Sequence, residues 1–396
     1  MIIIVFCLVL LVSAEFLLRF INPYRLFSSS FDESLYCQYD DLLGWAPSPN
    51  SNFSYYHKYL GKQRKQVFQN QMGLPSLQEF TPSKPPNVKY RILFFGETTS
   101  LGWELDYEKR ITSLIATKFK NLFNINVEVI PIIARNYSPT QLYRWFLRDF
   151  KHFEYDIVIY NFNENNPRRS ITFHESGKPP LLTQPVLTVL NSKLVSVKPL
   201  KNLSKDDMCF LDSNNAIRLL KSSPETTLHS KLKNNFHIYQ LIDDFVVGDI
   251  RLRKFKNKSE IKDIEKWKTV PNETPYQWII FKAIMKDFIN QTPSSIPFLI
   301  VPNLQYYNAG NNWLLSKSPH PLGHNFEDIP SRKHLKKLAQ NTKAKFCDIY
   351  SYVYKNKIDT SDFYIHPRYA YYSNKGASFH ADYIIDSIKH TSALDF

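Results

Sequence analysis

The chain has 396 residues, 43% of them hydrophobic and 15% aromatic, with a formal charge of +14. That composition supplies a sizeable core and excludes a disordered chain, and the length fits one large domain with insertions, or two domains. Lys and Arg are scattered rather than clustered, so the charge reads as a solvated basic surface; the sharper alternative is attraction to anionic glycans or lipid headgroups, and nucleic acid comes last because no recognised binding motif accompanies the charge.

Residues 1–21 (MIIIVFCLVLLVSAEFLLRFI) are apolar up to Ala14 and then interrupted by Glu15 and Arg19. The length is marginal for a bilayer span. No basic residue precedes the run, which favours an uncleaved anchor helix over a signal peptide. Arg19 and Arg25 follow it, and the positive-inside rule would hold that side in the cytoplasm. Residues 22–90 form an extended lead-in, with Pro, Ser and Asn turn clusters at 47–52 and 81–87.

From residue 91 the pattern becomes rhythmic. Apolar runs at 91–95, 127–133, 156–160, 297–301 and 344–349 predict buried strands. Segments 107–122, 139–151, 276–290, 332–340 and 375–389 carry apolar residues at helical spacing. Alternating strands and helices predict βαβ units, a parallel central sheet, and ligands at the strands' C-terminal edge. Residues 167–270, rich in Lys, Ser and Asn, break the rhythm and read as an insertion or cap subdomain. The α/β domain is therefore expected over 91–166 and 271–390.

The four cysteines, Cys7, Cys37, Cys209 and Cys347, include no C-x-x-C pair, and His320 and His324 are separated by Pro321 and Gly323. Neither pattern suits a metal site, so no metal or cofactor is expected.

The turn after the first strand reads RILFFGETTSLGWEL (91–105). It resembles the first block of SGNH (GDSL-type) hydrolases, in which a strand ends in Gly-Asp-Ser or Gly-Glu-Ser and the Ser is the nucleophile. Upstream, DLLGWAPSPN (41–50) and EFLLR (15–19) resemble membrane-anchored members. Downstream, VEVIPIIARNYSPTQL (127–142), DIVIYNFNENN (156–166), AKFCDIYSYV (344–353) and YYSNKGASFHADYI (371–384) resemble the later blocks in order. The resemblance implies a flavodoxin-like three-layer sandwich with its soluble domain outside the cytoplasm. It also implies an ester hydrolase or O-acyl transferase acting on acylated glycans or lipids.

Carried over residue by residue, Thr98 stands where the family has its Ser, with Glu97 before it. Ile133 or Ala134 stands at the glycine of the second block, whose amide normally helps hold the oxyanion. Asn165 is the position for the essential Asn, with Asn163 as the alternative, because Asn163-Glu164 also fits a common variant. Tyr371 occupies the place of the catalytic His. The nearest histidine, His366, could return to the site through a loop insertion, oriented by Asp362 or Asp359. Replacement of Ser, Gly and His together leaves a second expectation open: a catalytically inactive relative that binds a glycan, a lipid or a protein in a membrane assembly.

Overall fold

The computed structural model describes residues 2–21, 29–30, 33–57, 64–174, 184–191, 193–197, 208–211, 217–220, 232, 235–242, 275–304, 330–360, 362–366, 369–391 and 393–394. Helix α1 (Ile2–Ile21) is followed by the hairpin β1 (Cys37–Asp40) and β2 (Gly44–Pro47), then by antiparallel β3 (Asn52–His57) and β4 (Arg64–Phe68). The lead-in thus carries sheets of its own. In β3 the aromatic residues Phe53, Tyr55 and Tyr56 are buried.

The centre of the protein is a five-stranded, wholly parallel sheet. Its strands are β5 (Tyr90–Gly96), β6 (Val127–Ile133), β7 (Ile157–Phe162), β8 (Phe298–Pro302) and β9 (Lys345–Phe346). Their spatial order is β9-β8-β7-β5-β6, so β5 lies between β6 and β7. The run 92–95 and the run 157–160 are fully buried on both faces, which explains their unbroken apolar sequence.

The short helix α2 (Thr98–Leu101) follows β5, and α3 (Ile111–Phe123) packs against the C-terminal helix α10 (Asn374–His390). Ser138 and Gln141 form a capping box that starts α4 (Pro139–Trp145). Helix α5 (Asn166–Ser170) follows β7, and α4 and α5 both pack on α7 (Pro275–Gln291). Phe288 of α7 sits against Phe95 and Phe146, with centroids 4.9 Å apart in each pair, and joins the helices to the sheet. Between α5 and α7 the described residues form short antiparallel strands over 172–174, 186–190, 193–197, 208–211 and 217–220, and helix α6 (His237–Ile242). Helix α8 (Pro330–Gln340) precedes β9. The strand expected over 344–349 is shorter than predicted, because Asp348 accepts the Ser351 N–H and starts helix α9 (Ile349–Lys355). The hairpin β10 (Tyr364–His366) and β11 (Tyr369–Tyr372) leads into α10.

The expectation of a membrane-spanning anchor is corrected. Among the described residues no helix is long and apolar enough to cross a membrane. The longest uncharged run of helix α1 is residues 2–14, and at about 1.5 Å per residue it rises roughly 20 Å against a hydrocarbon core of about 30 Å. Glu15, the first charge, accepts hydrogen bonds from the backbone N–H groups of His237 and Ile238 at 2.9 Å, at the start of α6. Burial acts to raise the Glu15 pKa, but these bonds and Arg19 outweigh it and hold the carboxyl down at about 2.

Candidate functional site

The C-terminal ends of β5 and β7 meet where the strand order reverses, the usual ligand-binding crevice of an open α/β sheet, and β8 lies beside β7. Gly96 ends β5 there. A Cβ at this position would lie 2.4 Å from Ser100 Oγ, so glycine is what lets α2 fold back onto the strand. Glu97 is buried and ion-paired with Arg169 of α5. Thr99 and Ser100 are buried as well, which leaves Thr98 as the half-buried hydroxyl of the turn.

Thr98 Oγ1 accepts the Asn136 N–H at 2.8 Å and donates to Asn136 Oδ1 at 3.2 Å. Asn136 lies in the loop after β6 with φ of 60°, the left-handed conformation that Asn tolerates better than other side chains. Its Oδ1 also accepts from Arg169 Nη2 at 2.9 Å. A closed circuit results, in which Glu97 holds Arg169, Arg169 holds Asn136, and Asn136 holds Thr98.

Beneath it lies a second layer. Thr99 Oγ1 accepts from Asn303 Nδ2 at 2.9 Å and from Asn163 Nδ2 at 3.4 Å. Ser100 Oγ donates to Asn161 Oδ1 at 2.8 Å, and Asn161 Nδ2 donates to Val301 O at 3.1 Å. The remaining Asn161 N–H faces His380 Nε2 at 2.8 Å. With Nε2 accepting, the His380 proton sits on Nδ1, which faces the Tyr372 hydroxyl at 3.5 Å. Complete burial pushes the His380 pKa down to about 3, so the ring stays neutral at physiological pH.

Among the sequence-derived candidates, Thr98, Glu97 and Asn163 come together at this edge. Asn165 sits one step away: it precedes α5 and donates its backbone N–H to Asn163 Oδ1 at 2.8 Å. Ile133 ends β6 and Ala134 follows it, both in the core. The left-handed position of that loop is Asn136. Tyr371 lies in β11, which packs beside α2, and meets His57 edge-on with centroids 5.3 Å apart. His366 pairs through its backbone with Tyr369 in the same hairpin, and its side chain lies outside the described residues. Asp362 is exposed, its carboxylate 3.3 Å from Lys375 Nζ.

A buried acid stands near the His57–Tyr371 pair. Glu104 accepts from Tyr55 OH at 2.8 Å, and Tyr55 stacks on His57 at 6.4 Å. Burial raises the Glu104 pKa to about 7, partly offset by the Tyr55 hydroxyl and by Arg110 and Arg135.

Asn136, Asn161, Asn303, Arg169, His380 and Glu104 join these networks without having been among the candidates that sequence motifs mark. Asn303, directly after strand β8, carried a usable signal, because it occupies the same edge position as Asn163 after β7. Arg169 and Glu104 carried none.

Compared with protein-family models, curated proteins and solved structures, the chain matches none. The edge is rich in neutral amide donors and contains one half-buried hydroxyl. An amide oxygen such as Asn136 Oδ1 is far too weak a base to deprotonate Thr98. Among the described residues, no group of three or more His, Cys, Asp or Glu side chains is placed to hold a metal ion.

Proposed function

We propose that this chain is an SGNH-hydrolase-like protein of flavodoxin-like, three-layer architecture that binds an acylated glycan or lipid at its switch-point edge without cleaving it. One observation carries the reading. The Thr98 hydroxyl, at the family's nucleophile position, is engaged by the amide of Asn136 on both its donor and its acceptor side, and no histidine or carboxylate touches it among the described side chains. A hydroxyl so tied has no proton acceptor to activate it. The strand order and the two helix pairs, α3 with α10 and α4 with α7, support the architecture. Neutral amide donors suit the hydroxyl and carbonyl oxygens of an acylated sugar or a lipid ester.

The second reading, an ester hydrolase or O-acyl transferase, is favoured by the half-buried position of Thr98 and by the Asn136 N–H beside it, the type of donor that would stabilise an oxyanion. In that reading His366, with Asp362, would supply the base. Hydrolysis of p-nitrophenyl acetate by wild type and by Thr98→Ala separates the two. Equal background rates are expected for the binding protein. A rate that collapses in Thr98→Ala and in His366→Ala would overturn it in favour of the enzyme.

Helix α1 exposes Ile3, Phe6, Leu10 and Phe16 among other apolar side chains. We place it against a membrane, with the α/β domain outside the cytoplasm, by partial insertion of its apolar surface and not by a span.

A further inference from the structure

Glu104 lies outside the amide circuit of the edge but on the loop that leaves it. Gly102 ends α2 in the left-handed conformation, with φ of 60°, and opens the segment 102–110 that leads into α3. Glu104 and Arg110 stand toward the two ends of this segment, and both are buried. A Cβ on Gly102 would lie 3.3 Å from Arg110 Cγ, so the first and last residues of the loop pack together.

Two nitrogens of the Arg110 guanidinium, Nε and Nη2, are buried and make no hydrogen bond among the described residues. A buried guanidinium ordinarily has a carboxylate partner. Asp106 is not that partner, since it is exposed and pairs with Lys65 at 2.6 Å and Lys109 at 3.1 Å. Glu108 is exposed as well. Glu104 is the buried acid of the same loop and lies within electrostatic reach of Arg110, but its carboxyl is engaged by the Tyr55 hydroxyl at 2.8 Å.

Two sets of groups oppose each other at Glu104. Burial favours the neutral carboxyl, whereas Tyr55, the Glu104 N–H, Arg110 and Arg135 favour the carboxylate, and the balance falls at a pKa of about 7. Burial also lowers the Arg110 pKa, to about 10, against the pull of Tyr107, Glu104, Glu108 and Asp106, so the guanidinium keeps its charge at neutral pH. Three other elements bring titratable groups to this cluster. His57 of β3 stacks on Tyr55, Tyr371 of β11 meets His57, and Arg135 comes from the loop after β6, directly before Asn136.

We propose that Glu104 and Arg110 form a protonation switch in the loop that leaves α2, open while Glu104 is neutral and closed on Arg110 once the proton is lost. In the neutral state two guanidinium N–H groups have nothing to bind. Loss of the proton creates a buried carboxylate, which needs a charge-assisted bond, and Arg110 Nε and Nη2 are donors with capacity for it. Closure draws the loop together at Gly102 and shifts α2, which carries Thr98. That ligand affinity follows this shift rests on the binding function proposed above; the switch itself does not.

The test follows the 15N-labelled full chain by NMR from pH 5 to pH 9 with no ligand present. The backbone amides of Thr98 and Gly102 and the Arg110 Nε–H are expected to move together along one sigmoid with a midpoint of about 7. Glu104→Gln keeps the shape and the acceptor for Tyr55, and should abolish that transition. Tyr55→Phe removes a hydrogen bond to the carboxylate and should raise the midpoint by about one pH unit. Arg110→Gln should raise it as well, and Arg110→Lys, which retains the charge, should raise it less. Static amides at Thr98 and Gly102 would overturn the proposal. So would a transition that survives in Glu104→Gln, since it would belong to another group such as His57. Because no ligand is used, failure here is distinct from failure of the binding function.

Discussion

At the N-terminal end of β5, Arg91 buries a full charge, whereas at the C-terminal end Thr99, Ser100, Asn161, Asn163 and Asn303 bury only neutral groups. Arg91 is 0% exposed. Its guanidinium donates to the carbonyls of Pro82 at 2.9 Å, Ser83 at 3.0 Å and Glu154 at 3.1 Å, and pairs with Glu128. That end is closed, since the charge has a carboxylate partner and each nitrogen of the fork a donor contact. Beside the buried Glu97–Arg169 pair, the other end is built from amides and hydroxyls, which cost less to bury and can exchange one partner for another. The contrast locates the end at which a ligand can act. A charge locked by four partners has no capacity to spare, while a half-buried hydroxyl on a bed of amides has some.

The largest effect should come from breaking the closed end. Arg91→Met leaves Glu128 and three carbonyls without their donor and is expected to cost about 3–5 kcal/mol of unfolding free energy, read by denaturant titration. A loss below about 1 kcal/mol would show that the charge is less integral than its contacts suggest.

His380 gives an intermediate effect and tests whether the amide end is held together by a neutral ring. Its folded pKa, about 3, lies below the unfolded value near 6.5. Between these values the unfolded chain binds the extra proton, so stability from this group is complete above about pH 6.5 and is lost as pH falls. Relative to His380→Gln, wild type should lose up to about 1.4 kcal/mol per pH unit in that window. Glu104, with its raised pKa, acts in the opposite direction between about 4.5 and 7 in both proteins, so the difference between the two profiles isolates His380. Parallel profiles would refute the assignment.

The smallest effect should be at Thr98. Thr98→Val keeps the shape and removes both hydrogen bonds to Asn136, at an expected cost of about 1 kcal/mol. A cost well beyond that would make Thr98 a structural keystone in the manner of Arg91.

Strand positions were readable because strands buried on both faces have little choice of residue: after Arg91 and Glu128 at their N-terminal ends, 92–95 and 129–133 run apolar. The helix after Asp348 was hidden because AKFCDIYSYV begins as a strand and changes period within a few residues, and a capping aspartate looks the same as one ending a strand. The lead-in sheets were hidden by short strands flanked by turn residues. At the site, Thr98 and Asn163 could be found from their places after strands β5 and β7. Asn136 could have been found, because a left-handed turn position accepts Asn almost as readily as Gly. The partnership of Glu97 with Arg169 could not, since side chains 72 positions apart leave no mark on local pattern.

By itself the sequence determined the alternation of strand and helix, hence the parallel sheet, and the turn that brings a hydroxyl to its rim. Those are consequences of local periodicity and of Gly96. What the hydroxyl meets is a matter of packing between distant segments. Thr98 is held by Asn136, itself braced by Arg169, and the buried histidine His380 serves Asn161 and Tyr372 instead of the threonine. Contacts between distant segments depend on how helices pack across the sheet, and that packing is set by the whole core at once.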